Sequence, residues 1–302
     1  MRTIASLGEV RLIQRMSRCF PSGSSVRVGI GDDAAVLRGM GRDDLLFASD
    51  MLIEGVHFQH STTPAQWVGW KALACNISDI AAMGGLPRWA VVSLGVPPST
   101  SVRWVDDLYR GLARCAKRYD VAIVGGDTVR APRVVVDVAI VGTVRAGKAI
   151  LRSGARLGDR IFVTGRLGGS LVSGRHARFT PRLAETQCLI RHLPIHAMID
   201  LSDGLASDLW QIARASQVTL RVDDARIPVS QAGKTVTHAL MDGEDFELLF
   251  AVPPRAARRV PRSIGQVPVT EIGVVTRHGA KVELVKPHGH IVPLIPTGFK
   301  HF

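Results

Sequence analysis

Two adjacent aspartates, Asp32 and Asp33, follow an apolar run in VRVGIGDDAAV. The same arrangement returns along the chain, where LLFASD ends in Asp50, VAIVGGD in Asp127, and AMIDLSD carries Asp200 and Asp203. Val26, Val28 and Ile30 alternate as in a strand, and Gly29 and Gly31 free the backbone for a turn that presents carboxylates. The chain carries a formal net charge of +12, so acids gathered at the ends of apolar segments are not there for solubility. Carboxylates brought together repel unless a cation sits among them, and hard oxygen donors of this kind suit Mg2+. Asp79 adds a member from another setting. In the mostly apolar helix expected over residues 65–83 it shares a face with Asn76, three residues away. A carboxylate in such surroundings must be paired, either with neighbouring backbone or a lysine, or with a bound cation.

The elements that position these acids follow from periodicity. A short amphipathic helix over residues 8–18 precedes the turn-rich PSGSS and the first strand. A second strand, 44–50, leads to Pro64, placed to start the long helix, which Gly84 and Gly85 end. RWAVVSLGVP, VAIVGGD and VVVDVAIVG read as strands, with a helix over 102–119 between the first two. AILRSGARLGDRIFVTG is a glycine-punctuated link into a new strand at 160–164, where the pattern partly repeats. Ser202 and Asp203 precede Leu205, Leu209 and Ile212, which share a helical face. They read as the N-cap of that helix, as a phosphate site at its N-terminus, or as both. DGEDFELLFAV is an acidic turn entering a strand. GTVRAGKA has glycine and lysine at P-loop spacing, but Ala149 stands where a hydroxyl must bind Mg2+, and no long apolar helix follows.

At 302 residues and 46% hydrophobic content the chain can bury a sizeable core, and two domains are expected. The 38 basic against 26 acidic residues are spread without long runs, which favours attraction of phosphorylated small molecules over nucleic acid. Cys19, Cys75, Cys115 and Cys188 lie far apart with no paired spacing. A disulfide framework and structural zinc are therefore disfavoured, and a reducing cytoplasm is the expected setting. No apolar stretch approaches the roughly 20 residues that would span a bilayer.

Taken together and in order, GEVRLI, GIGDDAAVL, SDMLIEGVHF, KALACNISDIAAMGGLP, IVGGDT, LRSGARLGD, IDLSDGLASDL, DGEDFELLF and GFKHF resemble the thiamine-monophosphate kinase family. That family lies within the ATP-using superfamily that includes aminoimidazole ribonucleotide synthetase and selenophosphate synthetase. The resemblance implies an α/β fold of two domains: residues 1–147 as a mixed-sheet ATP- and Mg2+-binding domain that pairs across a homodimer, and 148–302 as an α/β domain that completes the site. It implies direct transfer of the ATP γ-phosphoryl group to thiamine monophosphate, with several Mg2+ ions and no covalent nucleophile. Carried over by position, the metal ligands are Asp33, Ser49, Asp50, Asp79, Asp127, Asp200 and Asp203. Tyr109, Gly126, Asp127, Arg152 and Ser202 hold the nucleotide, and His57, Glu244 and Phe299 contact thiamine phosphate. By residue type alone, His57 is an ordinary half-buried histidine and Phe299 a tail aromatic on the core. Facing the thiazolium, the Phe299 ring would contribute roughly 0.5 to 2 kcal/mol.

The chain departs from the family pattern at Ala48, where a metal-holding hydroxyl is usual, at Asp242, which replaces a glycine, and in the compressed stretch between Gly165 and Asp200. Two competing readings have distinct consequences. Another kinase or synthetase of the superfamily would use a different acceptor, and selenophosphate synthetase is disfavoured because no reactive cysteine lies in a glycine-rich N-terminal motif. A non-catalytic nucleotide- or polyanion-binding protein would bind heparin in a salt-sensitive manner without Mg2+-dependent turnover.

Overall fold

The computed structural model describes residues 9–18, 23–39, 41–296 and 298. Helix α1 (Glu9–Ser17) precedes a six-stranded sheet built from β1 (Val26–Val28), β2 (Ala35–Leu37), β3 (Asp43–Ile53), β4 (Leu86–Val96), β5 (Ala122–Arg130) and β6 (Val135–Arg145). The sheet order is β1-β2-β3-β6-β4-β5, parallel only between β4 and β5. Helices α2 (Ala65–Ala82) and α3 (Val102–Tyr119) pack together, and α2 covers one face of this sheet. Alternation along β3, β4 and β6 turns Leu46, Leu52, Val92, Val138 and Ile140 to the α2 side, while Phe47, Met51, Trp89 and Val91 face outward and stay exposed. Two glycines allow the helix pair to approach closely. A Cβ on Gly69 would lie 1.9 Å from the Leu108 carbonyl oxygen, and one on Gly111 would lie 1.9 Å from that of Gln66.

The second half opens with β7 (Arg160–Thr164), then α4 (Leu183–His192), β8 (Ala197–Asp200), α5 (Leu205–Ser216), β9 (Val218–Asp223), α6 (Val236–Met241) and β10 (Leu248–Val252). After a single turn, α7 (Pro254–Ala257), come β11 (Ser263–Ile264), β12 (Val267–His278), β13 (Lys281–Val285) and β14 (Ile291–Pro293). These strands form a mixed sheet ordered β14-β13-β9-β12-β7-β10-β8, with β11 paired to β12. The fully buried strands β8 and β10 pair antiparallel, Leu248 opposite Asp200, which fixes Asp200 at the end of the sheet facing the first half.

Most expected elements occur with shifted ends. The first strand stops at Val28, and the second runs on to Ile53, because β6 continues to pair with β3 after β2 has ended. Neither Ser202 nor Asp203 caps α5. The cap position is Gly204, at φ +100° and without a side-chain hydrogen bond. Its backbone sits against the Leu240 and Met241 carbonyls, where a Cβ would be crowded.

Candidate active site

Helix α2 carries the centre of the site. Lys71, Cys75, Ser78 and Asp79 form a stripe at helical spacing on a mostly apolar helix, and they point toward the boundary between the two halves. There Ser78 Oγ donates to Asp200 Oδ2 at 2.6 Å. Carboxylate oxygens of Asp33, Asp79 and Asp200 lie within 4.8 Å of one another. Around them is a cavity of about 340 Å³ whose walls include Ser49, Asp50, Arg152, Ser202, Asp203 and Asp208. β2 pairs with β3 only from Leu45 to Phe47, so the β3 edge beyond is open and both Ser49 and Asp50 reach the cavity. His57 and Glu244 line the same space, and α1 contributes Glu9 and Ile13.

The acids are under mutual strain. Burial first, then repulsion from Asp137 and Asp33, raises the Asp50 carboxyl to about 6. Burial and Asp33 raise Asp200 to about 8, although the Ser78 hydrogen bond opposes this. Asp79 is pushed well above the usual carboxylate range by burial and by Asp50, Asp200 and Asp33. Asp208, 1% exposed, is raised in the same direction by burial, Asp203 and Asp200, and its Oδ2 has no hydrogen-bond partner. Asp33 Oδ2 is likewise buried without a partner, while Oδ1 accepts from Arg152 Nη2 at 2.7 Å and Nε at 3.1 Å. Orphaned, crowded carboxylate oxygens are what a hard divalent cation satisfies, so this donor set fits Mg2+.

Asp32 works on the backbone. It accepts from the Arg152 amide at 3.1 and 3.2 Å and so aims that arginine at the cavity; burial and Asp33 raise its carboxyl to about 6. The Ile53 amide donates to His57 Nδ1 at 3.0 Å, which leaves the proton of a neutral ring on Nε2.

Asp127 and Gly126 lie elsewhere. Asp127 is level with Ser93, Asp137 and Met51 across β5, β4, β6 and β3, three strand spacings or about 14 Å from Met51. This row occupies the sheet face away from α2. Tyr109 is 39% exposed on α3 and does not line the cavity, and Phe299 lies outside the described residues. Sequence reasoning missed Asp137, which accepts from Ser49 Oγ at 3.0 Å, as well as Asp208, Lys71 and His176. The helical stripe containing Lys71 was a usable signal, but nothing in the sequence marks His176. Of the departures from pattern, Asp242 has a structural use, since it accepts from the Gly169 amide at 2.8 Å. Ala48 is buried.

Comparison with known proteins matches residues 31–144 to the AIR synthase related protein N-terminal domain and 158–286 to the corresponding C-terminal domain. Thiamine-monophosphate kinase of Rhodopirellula baltica is 38% identical, covering 88% of this chain and 91% of its own length. The chain belongs to the thiamine-monophosphate kinase family. The Escherichia coli K12 member is 36% identical over 98% of both chains. A solved structure described as AaThiL complexed with AMPPCP and TMP superposes with TM-score 0.86 at 32% identity, covering 100% of this chain and 99% of that one. Hydrogenase maturation protein HypE, in complex with ATP, shares the fold at 19% identity and TM-score 0.72, covering 87% of each chain. Among the described residues of this family member, no helix is long and apolar enough to cross a membrane.

Proposed function

We propose that this chain phosphorylates thiamine monophosphate to thiamine diphosphate with ATP, by direct transfer of the γ-phosphoryl group. The carrying observation is the convergence of Asp33, Asp79 and Asp200 beside Arg152 in one cavity at the boundary of the two halves. Transfer between two anions needs charge neutralisation and alignment more than covalent chemistry. Asp33, Ser49, Asp50, Asp79, Asp200 and Asp203 would hold Mg2+, which supplies that neutralisation when bound. Arg152, forked onto Asp33 and fixed through its amide by Asp32, orients phosphate oxygens. The uncapped first turn of α5, with Ser202 before it, offers amide donors to the nucleotide phosphates. His57 Nε2–H and Glu244 face the acceptor, and the tail carrying Phe299 is assigned to cover it.

We take the division at 147/148 as the domain boundary and the working form as a homodimer in the cytoplasm. Phe47 and Met51 of β3 together with Trp89 and Val91 of β4 leave apolar surface on the outer sheet face, and Val124 and Val129 extend it onto edge strand β5. Joining two such faces would put Gly126 and Asp127 at the interface. This supports giving them a nucleotide and metal role toward a second copy. The assignment is tested by thermal melts with AMPPCP, thiamine monophosphate and Mg2+. All three together should raise the melting temperature more than any pair. No Mg2+-dependent shift would end it.

A further inference from the structure

Lys71 is 0% exposed, and its ammonium is spent entirely on the acceptor side of the cavity. It donates to Glu244 Oε1 at 2.5 Å and to the His57 carbonyl at 3.0 Å, and lies 3.2 Å from His176 Nδ1. These partners come from both sides of the boundary: Lys71 from α2, His57 from the loop after β3, Glu244 from the turn before β10, and His176 from a short 3-10 turn. Glu244 has no freedom left. Its amide donates to Ser202 O at 2.7 Å, its carbonyl accepts from Ser170 Oγ at 2.7 Å, and its Oε2 is 3.2 Å from His176 Nδ1. It also sits at φ +58°, a conformation a non-glycine residue keeps only when its surroundings impose it. Burial alone would raise its carboxyl, but His176 and Lys71 outweigh that and hold it below the usual range, so it stays charged.

His176 Nδ1 faces a group that only donates and a group that only accepts. Protonated, it donates to Glu244; unprotonated, it accepts from Lys71. The cluster therefore closes in either state. We propose that Lys71, with His176, is a positioning residue that locks Glu244 and the His57 carbonyl across the domain boundary. It thereby selects a phosphate-monoester acceptor whose heterocycle offers hydrogen-bond donors or positive charge to Glu244. This rests on the acceptor reading above; the cluster meets the nucleotide side through backbone, where the Glu244 amide donates to Ser202 O.

The experiment measures KM for thiamine monophosphate and for ATP, together with melting temperature, in Lys71→Met, Glu244→Gln, Lys71→Met/Glu244→Gln, His176→Leu and His176→Gln. Lys71→Met should lower the melting temperature by leaving a half-buried carboxylate without its cation. It should also raise the acceptor KM at least ~10-fold, with the ATP KM within about threefold. The double variant removes that charge and should regain stability while its acceptor KM stays high. Its acceptor KM is read against Glu244→Gln alone and should exceed it, because the His57 carbonyl has also lost Lys71; this separates positioning from support of the fold even where Lys71→Met fails to fold. His176→Leu should raise the acceptor KM, and His176→Gln, which keeps both a donor and an acceptor, should restore it. A double variant whose acceptor KM does not exceed that of Glu244→Gln, or equal shifts in both KM values, overturns the assignment of Lys71. A wild-type chain inactive on thiamine monophosphate overturns the acceptor reading itself.

Discussion

Arg152 Nη2 lies 2.7 Å from Asp33 Oδ1, so a residue of the link between the two sheets is clamped onto the turn that follows the first strand. Asp33 is 9% exposed, so the pair is mostly removed from solvent, and the arginine is held at the cavity where the other acids gather. Arg152→Lys would keep the charge but lose the fork. We expect a rise of about 10-fold or more in the ATP KM and a smaller change in the acceptor KM, as measured by steady-state kinetics.

Asp50 and Asp79 repel in the metal-free chain and are needed when the cation is bound. Asp50→Asn and Asp79→Asn should each lower kcat/KM by at least ~100-fold. Each should leave the metal-free melting temperature unchanged or higher. Wild-type activity in both variants would remove the metal assignment, and calorimetric Mg2+ titration with AMPPCP checks it without turnover.

The same acids set a pH dependence. Their carboxyls are raised in the folded chain, from an ordinary value of 3.8 to about 6 for Asp50 and about 8 for Asp200. The folded state then binds more protons than the unfolded one across that window. Stability contributed by the protonated acids is complete below 3.8 and is lost as pH rises through 6 to 8. Metal-free protein should melt at a lower temperature at the upper end of the window, and Mg2+ should reverse the trend, because metal displaces the protons. Melts at several pH values with EDTA or Mg2+ check this.

How much of this was legible in the sequence depends on what each residue needed. Asp33, Asp50, Asp79 and Asp200 could be found because strand ends and an apolar helix leave few reasons for a carboxylate. The end of β3 was misjudged because Met51 to Ile53 continue only through pairing with β6, a partner 85 or so residues away that no local pattern reports. The cap of α5 was misjudged because the positive-φ glycine at 204, fixed by packing against α6, outweighed the ordinary preference for Ser202 or Asp203. His176 was invisible, since its meaning comes wholly from Lys71 and Glu244.

Gly298 ties the C-terminal tail to the site. A Cβ there would lie 2.0 Å from the Asp203 carbonyl oxygen and 2.6 Å from Ser207 Oγ. Gly298→Ala should displace the tail, and trimming the chain after Pro296 should remove it. Both should raise the KM for thiamine monophosphate far more than that for ATP. Equal effects would argue against a tail on the acceptor side.

The exposed outer face of the first sheet predicts the assembly. Trp89→Glu, at a residue 47% exposed, should convert a dimer to a monomer in light scattering and reduce activity if Asp127 serves across the interface. A wild-type monomer with full activity would contradict that arrangement.

The most direct measurement is to incubate the chain with γ-labelled ATP, Mg2+ and thiamine monophosphate and to identify the labelled product. The account predicts label in the terminal phosphate of thiamine diphosphate, one for each ADP formed, and none when EDTA is present. Label appearing only as free phosphate, or no ADP formed in the presence of the acceptor, would contradict it.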